Sequence, residues 1–234
     1  MKNKVLEKMI YIKLLKDENK VITFGITSEE FIMYNDINNI LLLKSEFFGN
    51  AYNTKYNFEL LENQRNILDV LNDVTNQIGD LCFIDYNKEE NINKLSIESV
   101  LHMLYFSHST EKLELLFDKE LNNNYAYYCH DNGWYSKIYY RNISTFIYFV
   151  LNMLKDKLNI GNENHDKDNF EILENILSRG ALINISSNQI KIYIIGDYDN
   201  FDDICNNYNE ILDTNNDIYD VNIVNGEISI IKEW

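Results

Sequence analysis

Proline is absent from this chain of 234 residues, and glycine occurs only 8 times. Disordered segments are usually rich in both and poor in aromatic and branched aliphatic residues. The chain instead has 17 Tyr, 12 Phe and a hydrophobic share of 45%, enough for a real core, so it is expected to fold. Its glycines stand singly, and neither G-x-G-x-x-G, G-x-x-x-x-G-K-[ST] nor G-x-S-x-G occurs. That removes the commonest phosphate-cradling loops and the nucleophile elbow, and no cofactor is expected.

Long apolar runs are missing too. Lysines at positions 2, 4, 8, 13 and 16 interrupt the first residues, so no apolar run there reaches signal-peptide length and none is expected. No stretch approaches the roughly 18 apolar residues that a membrane span requires. The 3 cysteines, Cys82, Cys129 and Cys205, are far apart and include no C-x-x-C pair, which argues against a disulfide framework or a zinc site. Each lies in an apolar or half-apolar segment, so buried free thiols are expected. A cytoplasmic protein without a membrane partner is the expectation.

Positive charge is scarce. Against 37 Asp+Glu stand 21 Lys+Arg, a formal charge of −16, which repels phosphate and disfavours direct contact with nucleic acid. The only arginines are Arg65, Arg141 and Arg179, whereas asparagine occurs 36 times. An AT-rich coding sequence imposes that bias, so single Asn, Lys and Ile positions carry little weight as site signals.

Apolar spacing predicts an α+β fold, with a mixed or antiparallel sheet built from hairpin-plus-helix units. Val5 to Leu15 and Val21 to Ile26 read as strands around the polar turn at 16–20, and Thr27 with Glu30 reads as a capping box opening a helix toward Tyr34. Leu60 to Val74 has a helical stripe, Leu81 to Tyr86 reads as a buried strand, and Ser96 and Ser109-Thr110 read as helix caps. Tyr125 to Cys129 and Trp134 to Tyr140 form a hairpin around Asn132-Gly133, followed by an apolar helix from Asn142 or Ser144 to Leu158. The polar stretch 159–168 places a boundary between a domain at 1–160 and a smaller acidic α-β-β-α-β-β part at 161–234. In that second part, Phe201 to Leu212 reads as one helix.

Catalytic signals are sparse. Glu98, His102 and His108 lack the spacing that converges ligands on a metal, and His130-Asp131 lies in a turn where Asp and Asn serve the backbone. Asp213-x-Asn215-x-Asp217 begins like a calcium loop, but Ile218 and Val224 stand where the turn glycine and the bidentate glutamate belong. No catalytic or metal-binding residue is assigned.

Charge placement is more informative. Between Lys191 and Lys232 there is no Lys or Arg, while Asp197, Asp199, Asp202, Asp203, Glu210, Asp213, Asp217, Asp220 and Glu227 accumulate. A field of one sign steers a basic partner inward. Aromatics crowd the hairpin at 125–140, where Trp134 and Tyr135 are candidate interface anchors beside the acidic set.

Residues 124–150, ending in Ser144, Phe146 and Phe149, resemble the closing hairpin and the "Ser-x-Phe-x-x-Phe-Leu" helix of the SUKH superfamily of immunity proteins. The leucine-proline segment of that family has no counterpart here. The resemblance implies a cytosolic toxin-neutralising module that binds by surface complementarity and has no catalytic residues. Together with the charge, it leads to an acidic, non-enzymatic binder of a basic partner, such as a nuclease toxin or another nucleic-acid-handling effector. Two alternatives stay open: an enzyme whose site is assembled from dispersed His and carboxylates, and a regulatory subunit that docks through its aromatic hairpin.

Overall fold

The computed structural model describes residues 8–43, 58–72, 81–87, 92–96, 98–99, 117–130, 135–160, 167–186, 189–198, 201–215, 217–224 and 227–233. The chain is an α+β protein, and its strands pair antiparallel. It divides into two compact units, one of residues up to 16, 21–25 and 144–234, the other of 17–20 and 26–143. The division thus differs from the expected one at residue 160. The N-terminal strand β1 (Lys8–Leu15) pairs with a strand near residue 183, from Lys8↔Ile185 to Ile12↔Ala181, a link that spacing along the chain does not reveal. A single 3-10 turn at Lys16–Glu18 leads from β1 to β2 (Lys20–Phe24), with Asn19 in the left-handed region at φ 47°.

In the unit containing 26–143, the capping box forms as the sequence predicts. Thr27 Oγ1 accepts the Glu30 N–H and the Glu30 carboxylate accepts the Thr27 N–H, both at 3.2 Å, at the head of α1 (Ser28–Tyr34). Strands β3 (Asn39–Leu43) and β4 (Phe58–Glu62) follow, then α2 (Gln64–Leu71), β5 (Leu81–Asp85), β6 (Tyr125–His130) and β7 (Tyr135–Tyr140). These strands lie in the order β7-β6-β5-β3-β4. The helix expected from Leu60 starts later: Leu60 and Leu61 sit in β4 opposite Leu41 and Ile40. Asn63, at φ 71°, turns the chain and accepts the Arg65 N–H at 3.0 Å to open α2. Residues 73–74 and the expected helix segment beyond 99 lie outside the described residues.

The pleat sorts this unit's aromatic residues. Phe83, Tyr125, Tyr127 and Tyr140 surround Phe31 of α1, with Phe83 and Tyr127 stacked at 4.6 Å and Tyr125 edge-on to Phe31 at 5.4 Å. Cys82, Ile84 and Ala126 point the other way and join Leu41, Tyr86, Ile92, Leu95 and Leu121, with Tyr128 and Tyr139 packed against them. Both faces of the sheet are therefore core.

In the other unit, α3 (Ser144–Lys157) buries most of its circumference and ends at Asn159 (φ 56°), where the Ile160 N–H bonds the Lys155 carbonyl at 2.9 Å. Helix α4 (Lys167–Ser178) leads to β8 (Ala181–Ile185) and β9 (Ile190–Ile194), then α5 (Phe201–Asn206), α6 (Tyr208–Thr214), β10 (Ile218–Val224) and β11 (Glu227–Lys232). The strand order is β11-β10-β9-β8-β1-β2. In place of the one helix expected over Phe201 to Leu212, the chain breaks at Asn207, whose side chain donates to the Asp203 carbonyl at 2.8 Å and competes with the helical ladder.

Helix α4 packs on β1, β8 and β11, with α3 against it. Helices α5 and α6 meet the face that carries Tyr11 and Asn184: Asn184 Nδ2 donates to the Tyr208 hydroxyl at 2.7 Å, and Asn215 Nδ2 to the Ile194 carbonyl at 2.8 Å. The Tyr11 hydroxyl donates to the Gly196 carbonyl at 2.9 Å and accepts the Tyr198 N–H at 3.1 Å, fixing the connection from β9 to α5. Ile10, Ile183 and Ile192 point the other way and are fully buried.

Candidate functional site

The acidic stretch separates into two populations. On the sheet and its connections the charges are compensated from distant sequence. Lys13 pairs with Asp197, and Asp217 receives both Arg179 and Lys232, the latter at 2.7 Å. Asp220 has Lys191 at 3.8 Å and accepts Gln189 Nε2 at 3.0 Å, while Lys191 also pairs with Glu233. The hydrogen bond from Lys232, aided by Arg179, holds the Asp217 carboxyl below its ordinary value despite some desolvation. The strand end of the acidic region is therefore a network of mixed sign.

The second population lies on α5 and α6. Ile204 and Ile211 are buried and anchor the two short helices, while Asp202, Asp203, Glu210 and Asp213 are exposed. Asp202, Glu210 and Asp213 make no ion pair among the described residues. Cys205 is exposed, contrary to the expectation of three buried thiols; it sits on the outer side of α5, whereas Cys82 and Cys129 are buried in strands. Partial desolvation and the neighbouring Asp202 push its thiol above its ordinary value, the opposite of a reactive thiolate.

Of the remaining candidate anchors, Asp199 and Trp134 lie outside the described residues, and Tyr135 opens β7 opposite His130. Most other aromatics of that hairpin are spent on the core: Tyr125, Tyr127 and Tyr140 are buried, and Tyr127 shares a hydrogen bond of 3.0 Å with Ser136. His102, His108 and His165 also lie outside the described residues. Among the described residues no three His, Cys, Asp or Glu side chains converge as metal ligands, and no helix is long and apolar enough to cross a membrane.

Sequence reasoning overlooked a cleft at the end of β5. It has a volume of about 170 Å³ and lies between the α1–β3 turn at 35–39, the end of β5 at 85–87, and Asn124-Tyr125 at the start of β6. At its base Asp85 is only 6% exposed. Its carboxylate accepts the Asn124 N–H at 2.9 Å and the Tyr125 N–H at 2.6 Å, with Asn124 Nδ2 at 3.4 Å, so it holds the chain at the entry to β6. Burial raises the Asp85 carboxyl to about 6, with the Asn124 and Tyr125 N–H groups pulling the other way. Arg141 braces the same turn from outside, donating to the Asn123 carbonyl at 2.7 Å and the Asp118 carbonyl at 3.3 Å. A buried carboxylate at the end of an apolar strand reads in sequence as an ordinary strand terminus. The Asn-rich loops around it carried little weight in a chain so rich in asparagine.

Comparison with protein-family models, curated proteins and solved structures finds no match to this chain.

Proposed function

We propose that this chain is an acidic, non-enzymatic binding protein of the immunity type, which neutralises a basic protein partner such as a nuclease toxin or another nucleic-acid-handling effector. The observation that carries the reading is the exposed carboxylate set Asp202, Asp203, Glu210 and Asp213 on α5 and α6, in a stretch of chain that supplies no cation. A surface of this kind accelerates encounter with a basic partner and repels nucleic acid. Asp197, Asp217 and Asp220 contribute less, because Lys13, Arg179, Lys232 and Lys191 already compensate them. The enzyme alternative finds its best support in the cleft above Asp85, but that carboxylate is committed to the backbone of Asn124 and Tyr125.

The test is capture from the native cytosol on the immobilised chain at low salt, with release at high salt and identification of what is released. A basic protein that is retained by the wild type and lost with Asp202→Lys/Asp213→Lys supports the reading. Recovery of no basic protein at low salt overturns it.

A further inference from the structure

The cleft above Asp85 has an unusual hydrogen-bonding polarity. Five asparagines among the described residues line it, and each gives an N–H of its amide to the fold. Asn35 Nδ2 donates to the Phe31 carbonyl at 2.9 Å, Asn38 Nδ2 to the Asp36 carbonyl at 2.9 Å, and Asn39 Nδ2 to the Tyr86 carbonyl at 3.3 Å. Asn87 Nδ2 donates to the Asn122 carbonyl at 3.0 Å, and Asn124 Nδ2 reaches Asp85. Among the described residues, the amide oxygens of these five residues accept no hydrogen bond. Among the described residues, the other polar side chains of the lining are the Asp36 and Asp85 carboxylates and two tyrosines, with no Lys, Arg or His. Asp85 makes no ion pair among the described residues, so the negative charge it brings to the lining is offset only by the N–H groups of Asn124 and Tyr125 that it accepts. Most of these amides keep a second N–H, but the five amide oxygens and the two carboxylates still bias the unspent capacity of the site toward accepting.

A ligand that matches must bring donors and positive charge. A compact metal ion needs six or more oxygens closing on one point, whereas these acceptors are spread around about 170 Å³. A guanidinium group is planar, always charged, and carries five N–H donors and no acceptor, which suits dispersed amide oxygens better than a point-like ammonium does. We infer that the cleft formed by Asn35 to Asn39, Asp85 to Asn87 and Asn124 is a binding site for a guanidinium group. The group comes either from a small guanidino compound or from an arginine side chain of a protein partner. The site is separate from the acidic helices, so its failure leaves the proposed function untouched and the converse also holds.

The experiment is an NMR titration of the full chain with methylguanidinium chloride at constant ionic strength, far below denaturing concentrations, following the backbone amides of Asn39, Asn87, Asn124 and Tyr125. Urea, the uncharged isostere, and sodium chloride serve as controls. Saturable shifts confined to these amides are expected with methylguanidinium and not with urea. Asp36→Asn removes a charge at an exposed position whose φ of 50° asparagine tolerates, so the fold is kept and binding weakens severalfold. Asn38→Lys, which places a cation at the rim, abolishes binding. A second arm compares agmatine with a blocked Gly-Arg-Gly peptide: tighter agmatine binding assigns the site to a small guanidino compound, tighter peptide binding to an arginine side chain. Unsaturable shifts, equal shifts with urea, or unchanged affinity in Asp36→Asn would overturn the inference.

Discussion

The Asn169 side chain stands against Ile228 of β11 as if it were a further strand. Its Nδ2 donates to the Ile228 carbonyl at 2.6 Å, while its Oδ1 accepts the Ile230 N–H at 3.2 Å, all of it buried. Ile228 and Ile230 have the same parity, so their backbone groups point away from β10, and one amide side chain from α4 covers the open edge of the sheet there. Exposed edges template association with other chains, and this contact blunts that hazard.

Asn169→Leu is therefore expected to leave a buried carbonyl and N–H without partners, at a cost of about 1–3 kcal/mol. It should also promote self-association through β11. Chemical denaturation checks the first effect and sedimentation at increasing concentration the second. A variant as stable and as monodisperse as the wild type would contradict both.

Asp85 makes stability depend on pH in the less usual direction for a carboxylate. Its folded value of about 6 exceeds the unfolded one, so the folded state holds the proton more tightly. Its contribution is fully present below the unfolded value and is lost as pH rises through about 6, amounting to about 3 kcal/mol. From below the ordinary carboxylate value of about 3.9 up to neutral pH, the wild type should lose that much stability relative to Asp85→Asn, whatever their absolute difference, with most of the loss complete by about pH 6. Denaturation midpoints across the window provide the measurement, and parallel curves would contradict the assignment.

Gly180 and Gly196 both have φ above 80°, yet they should respond differently to substitution. A Cβ on Gly180 would lie 2.0 Å from the Gly196 carbonyl oxygen, a backbone atom that cannot yield without disturbing its bond from Tyr11, whereas a Cβ on Gly196 meets nothing within 4 Å. Gly196→Ala should cost about 1 kcal/mol for its left-handed backbone alone, and Gly180→Ala about 3–5 kcal/mol. Equal losses in thermal unfolding would show that the chain crossing is loose.

Local signals in the sequence were legible. The capping box at Thr27 and Glu30, the hairpin strands at 125–140 and the apolar helix from Ser144 need only neighbouring residues, and all three form. Sequence-distant relationships were not. The run Asn-Ile-Leu-Leu-Leu of β3 carries no periodicity of its own and becomes a strand through β4 and β5. The pairing of β1 with β8 joins residues about 170 positions apart in sequence, Lys8 with Ile185 and Ile12 with Ala181. The same limit applied to the acidic region, where counting cations along the chain missed Lys13 beside Asp197 and Arg179 beside Asp217. Asp85 gave no sign of its cleft, because its partners at 124–125 lie 40 residues away in sequence.

Whether the acidic helices recruit a basic partner is tested most directly by reversing four charges in two places. One variant carries Asp202→Lys, Asp203→Lys, Glu210→Lys and Asp213→Lys. The other carries Asp17→Lys, Glu62→Lys, Asp69→Lys and Glu171→Lys, all exposed, with an equal change of net charge. The association rate of each with the basic protein captured from the native cytosol is measured over a range of salt. The first variant is expected to associate far more slowly than the second, with a flattened salt dependence and little change in dissociation. Equal slowing in both would mean that net charge alone drives encounter, and unchanged rates in the first would show that α5 and α6 are ordinary solvated surface.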